Sequence, residues 1–184
     1  RQWMLQTTYR EVRVVDAVVM QNLSSSPSFF ASTTILIIGG LLAVLGTTEK
    51  ASEFVRDLPF AAQTSVLVFD LKLLLLLGVF VYAFFRFTWS MRQYTIGAMV
   101  VASAPEASQF ETQGVSREAF AERAGRIIAM AAETFNDGLR AYYLAFAAIA
   151  WFFSAWLFAL ASVGVIYILY RREFRSDLLA VLDS

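Results

Sequence analysis

The sequence predicts an all-α fold, a polytopic transmembrane helical bundle with four spans in this chain, the last two folded as a hairpin. Three observations predict it. Of the 184 residues, 58% are hydrophobic and 16% charged, against roughly 45–50% and about 25% in an ordinary soluble domain. The apolar residues are pooled into long runs instead of being spread along amphipathic stripes. The runs themselves approach the length that a hydrocarbon core of about 30 Å requires.

From Tyr9 to Leu23, Val12, Val15, Val19 and Leu23 recur at helical spacing, with Arg10, Arg13 and Asp16 largely elsewhere on the wheel. This predicts an amphipathic helix that packs onto the bundle, with a surface-lying anchor as the alternative. Ser24, Ser25, Ser26 and Pro27 predict a break, with Ser26 as N-cap and Pro27 opening the next helix. Ser28 to Thr48 carries no charge, and at 1.5 Å per residue it reaches about 30 Å, which makes residues 28–48 the first span. Gly39, Ala43 and Gly46 share one face of it, a surface on which another helix can approach closely.

Glu49 to Ser65 holds five charges and Pro59, the composition of a short polar connection with about one helical turn. Residues 66–89 form the second span, with Trp89 as an interfacial aromatic. Residues 92–132 are polar, interrupted at Ser103, Ala104, Pro105 and Glu106. From Ser116, as N-cap, a long helix is expected to rise into the membrane. Ala141 to Tyr170 is uncharged over thirty residues, about 45 Å as one helix and too long for one straight span. Trp151, Phe152, Phe153 and Trp156 around Ser154 mark the tip of a hairpin, giving spans at about 133–153 and 156–171. Four crossings also bring every arginine-rich segment to one side, which predicts that both ends of this chain are cytoplasmic.

Fifteen Lys and Arg balance fifteen Asp and Glu, so no basic field supports nucleic-acid binding. The chain has neither Cys nor His, which removes thiolate chemistry and the commonest acid/base, haem and zinc side chains. No enzymatic activity and no cofactor or metal is expected. Charges inside spans are expensive, about 2.5–3.5 kcal/mol each on insertion scales, and are candidate functional residues by default. Asp70 and Lys72 are two apart on one helix, so they point away from each other and each needs another partner. Near the first end of their span, Lys72 is expected to snorkel and Asp70 to stay hydrated. Arg86, near the far end of the same span, reads as an interfacial anchor. Glu133, Asn136, Asp137 and Arg140 form the last polar cluster; the spacing puts Glu133, Asp137 and Arg140 on one face. It is expected to be a charged collar pairing with Arg86 or Arg92, with a cation or lipid-headgroup site as the alternative.

Several stretches carry a family resemblance: FFASTTILIIGG from Phe29, LPFA from Leu58, LKLLLLLGVFVYAFFRFTWSMRQ from Leu71, FNDGLRAYYLAFAAIAWF from Phe135 and YRREFRS from Tyr170. In these the chain resembles the integral membrane proteins grouped as domain-of-unknown-function family 599, found in bacteria and in plants. The resemblance implies membrane placement and no established activity. It also implies a further apolar helix ahead of Arg1, which agrees with a chain that opens without Met or a signal peptide and would place the true N-terminus outside. The expected function is a non-enzymatic oligomeric scaffold or accessory subunit in the bacterial inner membrane, with lipids and a second copy or another membrane protein as partners. The alternative is an oligomeric channel or small-solute transporter. A lipid enzyme using the carboxylates ranks last, because no His or Cys assists them.

Overall fold

The structure is a computed structural model that describes residues 2–56, 65–112 and 114–174. All regular structure in these residues is helical: α1 (Gln2–Thr7), α2 (Val14–Leu45), α3 (Thr48–Arg56), α4 (Val66–Ala102), α5 (Gln109–Thr112), α6 (Arg117–Ala150) and α7 (Ala155–Phe174). Among the described residues three helices, α2, α4 and α7, are long and apolar enough to cross a membrane, with mean hydropathies of 2.1, 2.3 and 1.3 over their most apolar stretches. α6 is not among them, because Glu133, Asp137 and Arg140 interrupt it before its uncharged last ten residues. The chain divides into two compact units, one of residues 1–33 and 84–138, the other of residues 34–83 and 139–184.

In the first unit α2 and α4 run antiparallel. Arg13 reaches the carbonyls of Ala104 (2.7 Å) and Pro105, Met20 lies against Gly97, and the Phe30 and Phe87 rings are 5.3 Å apart. α6 runs against α4 in turn, with the Ser90 hydroxyl donating to the Ala131 carbonyl at 2.7 Å. The break expected at Ser24 to Pro27 is absent: α2 continues through Pro27, which is buried. A proline deprives the carbonyl four residues earlier of its donor. Here Pro27 is itself buried, and its packing holds the helix through that position; the Ser24 and Ser25 hydroxyls bond the carbonyls of Gln21 (2.9 Å) and Asn22 (2.7 Å), not that of Leu23.

α4 likewise runs thirteen residues past the expected end at 89. Ser90, Gln93, Tyr94, Gly97 and Val101 are buried along one face, so a polar-looking stretch is an amphipathic helix with a covered side. Its end falls at the Ser103 to Glu106 interruption. At the start of α6, the Ser116 hydroxyl accepts from the Ala119 backbone N–H at 3.2 Å, the N-cap geometry. Arg117 then donates to the carbonyls of Thr8 (2.5 Å) and Ala107 (2.6 Å), its guanidinium 4.4 Å from the Tyr9 ring centroid. Met4, Val101, Phe110, Phe120, Ala121 and Ala124 form the core there.

In the second unit Leu76 and Phe80 of α4 pack on Ala145 and Ala148 of α6. Ala141, Ala145 and Ala148, one small-residue face of α6, are all buried. The chain turns at 151–154 and returns as α7, in the place the aromatic cluster marked. The return is antiparallel: Trp151 stacks on Phe158 at 5.5 Å near the tip, and Arg140 meets Glu173 at the open end. The connection after the first span is more ordered than one turn, since α3 covers nine residues.

Candidate functional site

The polar residues singled out in the apolar helices fall into two groups, one in each unit. In the second unit Lys72 does not snorkel. It is 4% exposed, and its ammonium donates to the Trp151 carbonyl at 2.8 Å, 5.0 Å from the Trp151 ring centroid and 5.8 Å from that of Phe152. The last carbonyls of a helix lack intrahelical donors and carry partial negative charge. Lys72 therefore neutralises the end of α6 and fastens the hairpin tip, while the aromatic faces attract the cation that they shield from lipid. Phe69 closes on Phe152 edge-to-face at 5.2 Å beside it.

Asp70 is half-buried, and its Oδ1 has no partner among the described residues. It forms no pair with Lys72, as the two-residue spacing requires. At the other end of the hairpin Arg140 donates to Glu173 through Nε at 2.8 Å and through a second nitrogen, and Arg172 reaches the Tyr143 hydroxyl at 3.4 Å. Thr34 and Tyr142 share a hydrogen bond of 2.7 Å, above the edge-to-face pair of Tyr142 with Phe80 at 5.2 Å.

In the first unit Arg86 pairs with Asp137, both half-buried. That is the pairing expected of a charged collar. Asn136 is also half-buried, whereas Glu133 is exposed. Asp137 is held by Arg86, and in the second unit Arg140 is held by Glu173. Phe30, Phe87 and Phe135 form a triangle with centroids 5.3, 5.6 and 5.7 Å apart. Gly138 completes it: a Cβ there would lie 2.7 Å from Phe87 Cδ1, so α6 approaches the ring as only a glycine permits.

Two features were not singled out in the sequence. Asp16 is fully buried and its Oδ1 accepts from Trp3 Nε1 (2.6 Å), Thr7 Oγ1 (3.0 Å) and Arg10 (2.8 Å), which straps α1 onto the first turn of α2. Its acidic position in that first turn was a visible sign, favourable beside the helix N-terminus. Glu173 lay within the arginine-rich terminus and carried no helical-face signal of its own.

This geometry is a set of internal fastenings. Among the described residues no group of three or more acidic side chains is arranged to hold a metal ion. No curated protein and no solved structure matches the chain. A family model described as a protein of unknown function, DUF599, matches residues 1–178. With nearly its whole length matched, and with the apolar helices that the resemblance implied, the chain belongs to the DUF599 family.

Proposed function

We propose that this protein is a non-enzymatic, multi-pass subunit of a membrane assembly, a scaffold or accessory component that packs against further copies or another membrane protein. In this reading the chain crosses four times, at about 28–48, 66–89, 133–153 and 156–171, as one membrane domain with residues 92–132 and both ends cytoplasmic, in the bacterial inner membrane. The arginines before the first span, after the second and at the chain's end support that orientation. α6 serves as the third crossing because Asp137 is paired with Arg86 and Arg140 with Glu173, which lowers the cost of those charges.

The observation that carries the reading is the pair Gly39 and Gly40 in α2. Each glycine in a helix interior costs about 0.5–1 kcal/mol relative to alanine. Among the described residues nothing lies within 4 Å of a Cβ built at either position. No close approach among the described residues repays that cost, and a helix from outside can. α7, with no buried residue along its twenty, offers a second uncovered surface.

The test is the intact mass of the full chain extracted in native lipid particles. Defined multiples, or a stoichiometric second protein, that collapse to one copy on Gly39→Leu are expected; a single copy with lipid alone in the parent chain would sink the reading. An oligomeric channel is the second reading, favoured by Asp70 with its unpartnered carboxylate oxygen in an apolar helix. It requires an ion flux in reconstituted vesicles that Asp70→Asn abolishes.

A further inference from the structure

The open end of the hairpin formed by the last turns of α6 and by α7 carries an excess of positive charge. Residues 139–174, all in the second unit, hold three arginines, Arg140, Arg171 and Arg172, against one carboxylate, Glu173. Arg140 takes that carboxylate, and Arg172 turns toward α6 to reach the Tyr143 hydroxyl at 3.4 Å. Arg171 is exposed in the last turn of α7. Tyr143, Tyr167 and Tyr170 stand around these charges, and tyrosine collects at the level of lipid headgroups.

Below Arg171 the same face of α7 has the dimensions of one leaflet. Leu160, Gly164, Tyr167 and Arg171 recur at helical spacing along it, and Leu160 and Tyr167 are exposed. From Leu160 to Arg171 the rise is about 16 Å at 1.5 Å per residue, half of a hydrocarbon core of about 30 Å. Gly164 cuts a notch between the two larger side chains, since nothing lies within 4 Å of a Cβ built there. A guanidinium at one end and an apolar notch one leaflet deep match a phosphate and the acyl chain beneath it. With Glu173 already taken, the remaining positive charge favours a headgroup whose net charge is negative over one that carries its own cation.

We propose that Arg171 holds the phosphate of an anionic phospholipid whose acyl chain lies along α7 in the notch at Gly164, between Leu160 and Tyr167. This gives that face of α7 to a lipid. It stands independently of the assembly reading, which rests on Gly39 and Gly40 and is read from copy number.

The test presents the full chain in detergent with equal amounts of dioleoyl phosphatidylglycerol and dioleoyl phosphatidylcholine, which share their acyl chains, and reads the lipid retained per copy by native mass spectrometry. Phosphatidylglycerol should be retained over phosphatidylcholine by about tenfold, and Arg171→Gln should remove most of that preference. Arg171→Lys, which keeps the charge and loses the planar fork, should restore part of it. Gly164→Leu fills the notch and leaves the charge, so it should weaken both lipids alike by about threefold or more. Equal retention of the two lipids in the parent chain would overturn the selection for an anionic headgroup. A loss at Arg171→Gln no larger than at Arg126→Gln, an exposed arginine of the first unit, would overturn the site. Retention unmoved by Gly164→Leu would overturn the acyl seat, and displacement of phosphatidylglycerol by equimolar inorganic phosphate would show a phosphate site that needs no lipid.

Discussion

Replacing Gly138 with alanine sets two effects of opposite sign against each other, and the packing around Phe87 decides between them. Alanine in a helix interior is favoured over glycine by about 1 kcal/mol. Against that, the new methyl would lie 2.7 Å from Phe87 Cδ1 and 2.9 Å from Cζ, closer than carbon atoms tolerate. Phe87 cannot swing aside, because it is fully buried and its ring is 5.3 Å from that of Phe30 and 5.6 Å from that of Phe135. Overpacking a filled core costs about 1–3 kcal/mol, occasionally more, and a clash with ring carbons belongs at the upper end. We expect Gly138→Ala to destabilise the chain by about 1–2 kcal/mol net, a fall of several degrees in melting temperature at this chain length. Tryptophan fluorescence during thermal unfolding in detergent reads it. Gly78 is the control, since nothing lies within 4 Å of a Cβ there and Gly78→Ala should leave the melting temperature unchanged or raise it. Phe87→Leu should cost less in the Gly138→Ala background than in the parent chain, a positive coupling between contacting sites. A melting temperature raised by Gly138→Ala would refute the reasoning, because helix propensity would then have outweighed the packing.

Two further substitutions address the fastenings. Lys72→Met removes the donor to the Trp151 carbonyl while keeping the apolar stem; the loss of one charge-assisted hydrogen bond, about 1.5–3 kcal/mol before the relief of desolvation, should raise amide exchange at residues 151–155. Exchange there identical to the parent would mean the hairpin tip holds without Lys72. Asp16→Asn removes the charge onto which three donors converge, so exchange in residues 2–9 should rise by about tenfold or more while the amides of α4 stay protected. Unaltered exchange in α1 would show that its packing through Met4, which is buried in the core, suffices to hold it.

Helical class, the three long apolar helices and the turn at Trp151 to Ser154 were legible in the residues, because each depends on local composition: uncharged length, helical period and the placing of tryptophan. The N-cap at Ser116 was legible for the same reason. The run of α2 through Pro27 was not, since proline is a break by local rule and only the burial of Pro27 against the rest of the chain reverses it. Nor was the extension of α4 to Ala102, whose polar residues 90–102 become helical by burying Ser90, Tyr94 and Val101 against α6 and its neighbours.

The candidate site divides in the same way. The sequence by itself determined that Asp70 and Lys72 do not pair, because two residues along a helix place their side chains on different faces, and it offered Arg86 or Arg92 as the partner of the collar around Asp137. Only the tertiary structure decided that Lys72 closes the end of α6, that Arg140 pairs with Glu173, and that Gly138 admits Phe87. Those choices depend on the register between helices far apart in the chain, and a helical period records which face a residue occupies but not the level at which another helix meets it.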